Sequence, residues 1–172
     1  MKTAILAGVL ATALPIAAGA EVKSAAADGF LIEHRFTIAA PAAKVWDSLQ
    51  HPERWWPADH TWSGKRENLS IVADTGGCFC ERWDGNSVEH GRVVMVLEGR
   101  LLRLDAALGP LQEMAVTGVI TFALEEKDGA TTLVATHRVS GDPSQKLDAL
   151  APIVDQVNAQ QFGGLAADAV KP

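Results

Sequence analysis

The chain contains no tyrosine and only two cysteines in 172 residues, and nowhere does it concentrate lysine or arginine. With a formal net charge of -6, the lack of a basic cluster argues against nucleic acid and against anionic lipid headgroups, both of which are gripped through phosphate. The usual catalytic signatures are missing too: no G-x-S-x-G nucleophile elbow, no H-E-x-x-H, no Walker loop and no Rossmann glycine fingerprint. Gly76-Gly77 and Gly163-Gly164 lack the lysine and helix start that a phosphate cradle needs. No cofactor is expected. No apolar run reaches the roughly 20 residues that cross a bilayer, so stable membrane insertion is not expected either.

What is present begins with the first twenty residues. Met1-Lys2 is a short positive segment, Ala4 to Ile16 is apolar, and Ala18-Gly19-Ala20 is a small-x-small cleavage site; together they read as a secretory signal peptide over 1–20. The expected compartment is the periplasm of a Gram-negative bacterium, with the mature chain starting at Glu21. Residues 21–29 are Ala-rich and read as a flexible leader, and 30–170 as one domain of ordinary size. Without Lys2 the mature net charge is near -7.

The two cysteines, Cys78 and Cys80, lie one residue apart in a segment that reads as strand. Export favours disulfides. Alternate residues of an extended strand, however, lie about 6.5–7 Å apart, at the outer limit of disulfide geometry. The spacing therefore predicts two unbridged, half-buried thiols, and two thiols without a further fixed-spacing Cys or His make no zinc motif.

Hydropathy periods order the rest. Phe30, Ile32, His34, Phe36 and Ile38 alternate with polar residues and predict a half-buried strand. Pro41 suits the first position of a helix over Ala42 to Gln50, and His51 to Pro57 reads as a second short helix. Strands follow at Leu69 to Ala73, Cys78 to Trp83, Val88 to Glu98, Leu101 to Ala107, Ala115 to Glu125 and Thr131 to Ser140. Asp84-Gly85-Asn86 and Lys127-Asp128-Gly129 mark hairpins. Helical spacing of Leu150, Ile153, Val154, Val157, Gln161 and Leu165 predicts a helix from about Pro152 to Ala169, with Gly163-Gly164 either weakening its end or admitting another backbone. The fold class is α+β: a seven-stranded curved antiparallel sheet wrapped around the only long helix.

This order, with Ala40-Pro41-Ala42-Ala43-Lys44-Val45-Trp46-Asp47 opening the first helix and Gly76-Gly77-Cys78-Phe79 starting a middle strand, resembles the SRPBCC (START and birch-pollen-allergen-like) helix-grip superfamily. Within it, the chain looks like the branch of heat-shock chaperone ATPase activator homologues and polyketide cyclases. The resemblance implies a deep cavity between sheet and C-terminal helix that holds apolar small molecules. It carries over no catalytic residue.

Four of the five tryptophans, Trp46, Trp55, Trp56 and Trp62, fall within seventeen residues. Rigid rings at a cavity mouth suit an apolar ligand. Trp46 reads as core, Trp55 and Trp56 as cavity lining or core, and Trp62 as a lid residue. The remaining expected cavity residues are Phe79, Met95, Leu104, Met114, Phe122, Val157 and Phe162. The candidate polar groups are His34 and His137, both on apolar strand faces, and Glu81 with His90, which a loop at Gly85-Asn86 would place opposite each other. Asp59-His60 could join Glu81 and His90 at a metal, though without fixed spacing, and no metal site is expected.

Three functions remain open. The first is an exported carrier of a lipid-, sterol- or polyketide-like molecule. The second is a cyclase or dehydratase using a His and a carboxylate as acid and base, which a His–carboxylate pair facing a closed pocket would favour. The third is an envelope interaction module, which a filled core would favour.

Overall fold

The computed structural model describes residues 18–172; the expected signal peptide lies outside the described residues except for the backbone of Ala18 to Ala20. Eight antiparallel strands form one sheet: β1 (Ala18–Ala26), β2 (Gly29–Ile38), β3 (Leu69–Ile71), β4 (Cys78–Trp83), β5 (Asn86–Leu97), β6 (Leu101–Asp105), β7 (Thr117–Lys127) and β8 (Ala130–Ser140), in the spatial order β1-β2-β8-β7-β6-β5-β4-β3. The first central strand, β2, buries the alternating set Phe30, Ile32, His34, Phe36 and Ile38 and pairs along its length with β8. Helix α1 (Ala42–Gln50) follows Pro41, whose φ of -65° suits a helix start, and buries Val45, Trp46 and Leu49. The second short helix is a single 3-10 turn, Pro52–Arg54.

The segment read as a leader is an added edge strand. β1 pairs with β2 from Ala18↔Phe36 to Ala26↔Gly29, which makes eight strands instead of seven. Small residues carry little hydropathy signal, so the pairing that β2 offers at its free edge decides the outcome.

The long helix α2 (Leu147–Asp168) starts five residues before the expected Pro152, which lies inside it. A proline there removes one i→i−4 hydrogen bond. The turn forms because Leu147 and Ala151 are fully buried against Phe30, Ile32 and Val139, and because the Leu147 amide donates to the Ala27 carbonyl at 3.0 Å. Gly164 has the close-approach role: a Cβ there would collide with the Trp55 carbonyl oxygen, so the 55–56 segment can lie against the helix. Among the described residues no helix is long and apolar enough to cross a membrane.

The β4–β5 hairpin turns one residue earlier than expected. Asp84 and Gly85, at φ 42° and 80°, form the two-residue loop and pair Trp83 with Asn86. That register sets Glu81 opposite Val88, not His90. Further along, pairing shifts from Cys80↔Glu89 to Phe79↔Gly91, leaving His90 as the extra residue of a β-bulge.

The bulge also overturns the expectation of free thiols. Cys78 and Cys80 are bridged, their Cα atoms 5.4 Å apart at the point where the ladder bends, inside the disulfide range that a straight strand exceeds. Thiol counting on denatured, unreduced protein is expected to find none. Two free thiols per chain would return the straight-strand reading.

Candidate functional site: a cavity between helix and sheet

A cavity of about 420 Å³ lies between α2, the turn around Gly109–Gln112 and the loop 56–62. α2 reaches it with Leu150, Ile153, Val154 and Val157, one stripe at helical spacing. Its other apolar residues, Phe162, Leu165 and Ala166 among them, join the core against the sheet. Leu108, Leu111 and Met114 form the second wall, Trp56 and Trp62 the third. Trp62 and Ile153 are more than half exposed and are thus apolar surface at the rim. The lining is overwhelmingly apolar, with a few polar side chains among it: His90 and His137 from the sheet, Asn158 and Gln161 from α2, and Asp59 and His60 from the loop.

The loop is tied down from both sides. Trp56 Nε1 donates to the His60 carbonyl at 3.0 Å. Glu81, fully buried, accepts from the Trp62 amide at 3.0 Å and the Ser63 amide at 2.5 Å. The same carboxylate lies 3.0 Å from His90 Nε2. Burial acts to raise the Glu81 carboxyl, but the hydrogen bonds from Ser63, Trp62 and His90 outweigh it and hold it below the usual carboxylate range. Burial lowers His90 against the opposing pull of Glu81. At neutral pH the pair is thus a carboxylate beside a neutral imidazole. Nε2 carries the proton donated to Glu81, and Nδ1 keeps a lone pair. An imidazole oriented by a carboxylate on a cavity wall is the arrangement of a general base.

His137 stands deeper, fully buried on β8. Asn158 Nδ2 lies 3.0 Å from its Nδ1; an amide N–H can only donate, so the ring proton resides on Nε2. Burial lowers its pKa to about 4, with the Ala106 carbonyl opposing. Among the described residues, His137 Nε2 and Gln161 Oε1 are both buried without an aligned hydrogen-bond partner. His60 Nδ1 on the loop is likewise unpartnered.

These groups predict how stability depends on pH. Unfolded His137 binds its proton near 6.5 and the folded residue near 4, so the unfolded state takes up the proton first and stability falls as pH drops between those values. One such group accounts for about 3 kcal/mol over that window. His90 shifts in the same direction, and Glu81, with its lowered carboxyl, loses its contribution as pH falls below its unfolded value of 4.5. Urea unfolding at pH 7, 5.5 and 4 should show the decline, and His137→Gln should flatten its upper part; a stability independent of pH across this range would contradict the buried neutral ring.

The structure distributes the sequence candidates unevenly. Trp56, Met114, Val157, His90 and His137 stand on the cavity wall. Trp55 stands behind it, its Nε1 donating to the Ser48 carbonyl at 2.7 Å. Phe79 backs Trp56 at a ring distance of 5.1 Å. Leu104, Phe122 and Phe162 belong to the main core, and Met95 is half-buried at a second bulge, opposite Arg103. Glu81 and His90 meet, through the bulge and not through the register first read. His34 and His137 both point inward, but to different partners: His34 Nε2 approaches Asp155 Oδ1 at 3.0 Å without hydrogen-bond alignment, while His137 meets Asn158. Burial holds His34 low, with Asp155 opposing. Sequence reasoning missed Leu108, Leu111, Asn158 and Gln161 as wall residues. Gln161 is on the stripe already read as helical and Asn158 precedes it by three residues, and that spacing was the available signal.

Among the described residues, the one cluster of His, Cys, Asp or Glu donors close enough to share a metal is Cys78, Cys80 and Glu89. Its sulfurs are joined to each other and offer no thiolate. Asp59 and His60 line the cavity but are not gathered with Glu81 and His90 into such a cluster.

No family model and no curated protein matches the sequence. Solved structures do match. A protein from Rhizobium leguminosarum is 17% identical, with a TM-score of 0.60 over 89% of this chain and 97% of that one. DynU16, a protein of the dynemicin biosynthetic locus, is 19% identical, with a TM-score of 0.56 over 80% of this chain and 46% of its own. The di-domain ARO/CYC StfQ from the steffimycin biosynthetic pathway is 16% identical, with a TM-score of 0.57 over 83% of this chain and 51% of its own. This chain thus spans about half the length of the last two. At these identities the likeness is one of fold alone: a curved antiparallel sheet closed around a long C-terminal helix.

Proposed function

We propose that the protein is exported by residues 1–20 and binds a hydrophobic, aromatic or polyketide-like small molecule in the cavity under α2. The observation that carries this reading is the 420 Å³ cavity itself, apolar on three walls and open to solvent past Trp62 and Ile153. Packed cores leave few voids larger than water, and pockets of this size and lining are where small molecules bind. The place of DynU16 in the dynemicin biosynthetic locus and of the ARO/CYC StfQ in the steffimycin biosynthetic pathway directs the choice toward polyketide-like ligands.

Titration with the neutral fluorophore N-phenyl-1-naphthylamine tests it. Saturable binding with quenching of tryptophan emission is expected, and Trp56→Ala should weaken it by about 1–3 kcal/mol. No saturable binding to the folded protein would refute the reading. Export is tested by the intact mass of the periplasmic form, which should begin at Glu21.

The His90–Glu81 pair favours a second reading, an acid–base enzyme of the dehydratase or cyclase type. His90 Nδ1 would take a proton from the carbon beside a ligand carbonyl; the electron pair forms the C=C bond as the β-hydroxyl leaves, and His90 returns the proton to the hydroxide, which departs as water. Incubation with 4-hydroxy-4-(naphthalen-2-yl)butan-2-one should then raise the enone absorbance, and His90→Gln should abolish the increase. Binding without any turnover would leave the carrier.

A further inference from the structure

Among the described residues, three polar atoms on side chains lining this apolar cavity have no aligned hydrogen-bond partner: His60 Nδ1 on the loop and, deeper, His137 Nε2 and Gln161 Oε1. The last two are fully or almost fully buried (0% and 3% exposed), and the Ala106 carbonyl near the His137 ring is not aligned to accept from Nε2. Buried polar atoms are nearly always paired, because an unpaired one loses its hydrogen bonds to water and gains none. The two deeper atoms are also of opposite kind. Asn158 donates to Nδ1 and thereby leaves Nε2 as an N–H donor, whereas the Gln161 atom is a carbonyl oxygen and only accepts. Tertiary structure brings them to one cavity from two elements, β8 and α2.

We infer that this donor and acceptor form a neutral recognition pair, selecting ligands that carry a carbonyl-type acceptor for His137 and a hydroxyl donor for Gln161. The inference rests on the cavity being a ligand site, as proposed above. It adds a chemical class: an uncharged hydroxy-carbonyl compound on an apolar skeleton. His137 stays uncharged at neutral pH, and among the described residues no lysine or arginine stands on the cavity wall. A carboxylate such as a fatty-acid anion would therefore be desolvated with no cation to receive it. A plain hydrocarbon would fill the volume and leave both polar atoms unpaired.

Five probes on one ring system separate these cases by calorimetry or competition against N-phenyl-1-naphthylamine: 2-hydroxy-1-(naphthalen-2-yl)ethanone, 2-acetonaphthone, 2-(naphthalen-2-yl)ethanol, 2-ethylnaphthalene and 2-naphthoate. The hydroxy-ketone should bind at least tenfold tighter than 2-ethylnaphthalene, the single-group probes should fall between, and naphthoate should be the weakest. Gln161→Leu should remove the advantage of the hydroxyl and His137→Phe that of the ketone. Because His137 is buried and its replacement can unfold the chain, the wild-type ranking is read on its own. The His137 Nε2–H resonance of the wild type supplies a second measurement, expected to move downfield with the hydroxy-ketone and not with the hydrocarbon. Equal affinity for all five, or tightest binding of naphthoate, would overturn the recognition pair while leaving the cavity a ligand site. Failure of every probe and of the fluorophore to bind would overturn both.

Discussion

Replacing Glu81 by Ala is expected to destabilise the protein by several kcal/mol and to loosen the cavity's loop wall at the same time. The carboxylate is the shared acceptor for the Trp62 amide, the Ser63 amide and the His90 ring. Each donor left buried and unpaired costs about 1–3 kcal/mol, less where water can enter. Glu81→Gln is the sharper variant because it keeps the shape: its amide N–H₂ must face one of three donors, and the negative charge that raises His90 is lost. Urea unfolding should show the destabilisation, and the His90 pKa, read by NMR, should move further down in Glu81→Gln. A variant with wild-type stability and an unmoved His90 would show that the dyad does not organise this wall.

The second large effect concerns core and not cavity. Phe162→Ala should cost about 3–5 kcal/mol, the range for a fully buried phenylalanine, because its ring packs on Phe122 at 5.2 Å and on His34 at 5.7 Å with no exposed surface. Val157→Ala, on the cavity stripe of the same helix, removes less contact and should cost far less. Affinity for N-phenyl-1-naphthylamine should follow the opposite order, little changed by Phe162→Ala and weakened by Val157→Ala. A Phe162 variant that stays stable yet stops binding would place that ring on the cavity wall.

Periodicity read alone makes Leu150, Ile153, Val154, Val157 and Leu165 a single buried seam, whereas the helix divides them between a cavity wall and the core. Twofold and 3.6-fold periods report that a face is apolar; they do not report whether the facing surface is protein or empty space. For the same reason Phe79, Leu104 and Phe122 were legible as inward and not as core. The strands and α1 were legible because alternation, Pro41 and the glycine turns act locally. β1 was not, since Ala and Gly side chains gain their strand pairing only from the neighbouring edge. The Glu81–His90 pair and the Cys78–Cys80 bridge both depend on one bulge. A bulge changes parity without leaving a pattern in the sequence, so a straight ladder reaches the pair through the wrong register and argues against the bridge. His137 and Gln161 illustrate the same limit: their residue types were visible, but their lack of partners exists only in the fold.

The space between α2, the 109–114 turn and the 56–62 loop is the ligand site proposed for this protein. An NMR titration of ¹⁵N-labelled protein with N-phenyl-1-naphthylamine tests it most directly. Saturable shifts are expected, concentrated at the indole N–H groups of Trp56 and Trp62, the side-chain amides of Asn158 and Gln161, and the backbone around Leu111 and Val154. Shifts centred instead on exposed apolar residues elsewhere, such as Val94 and Val119, or no saturable shifts at all, would contradict it.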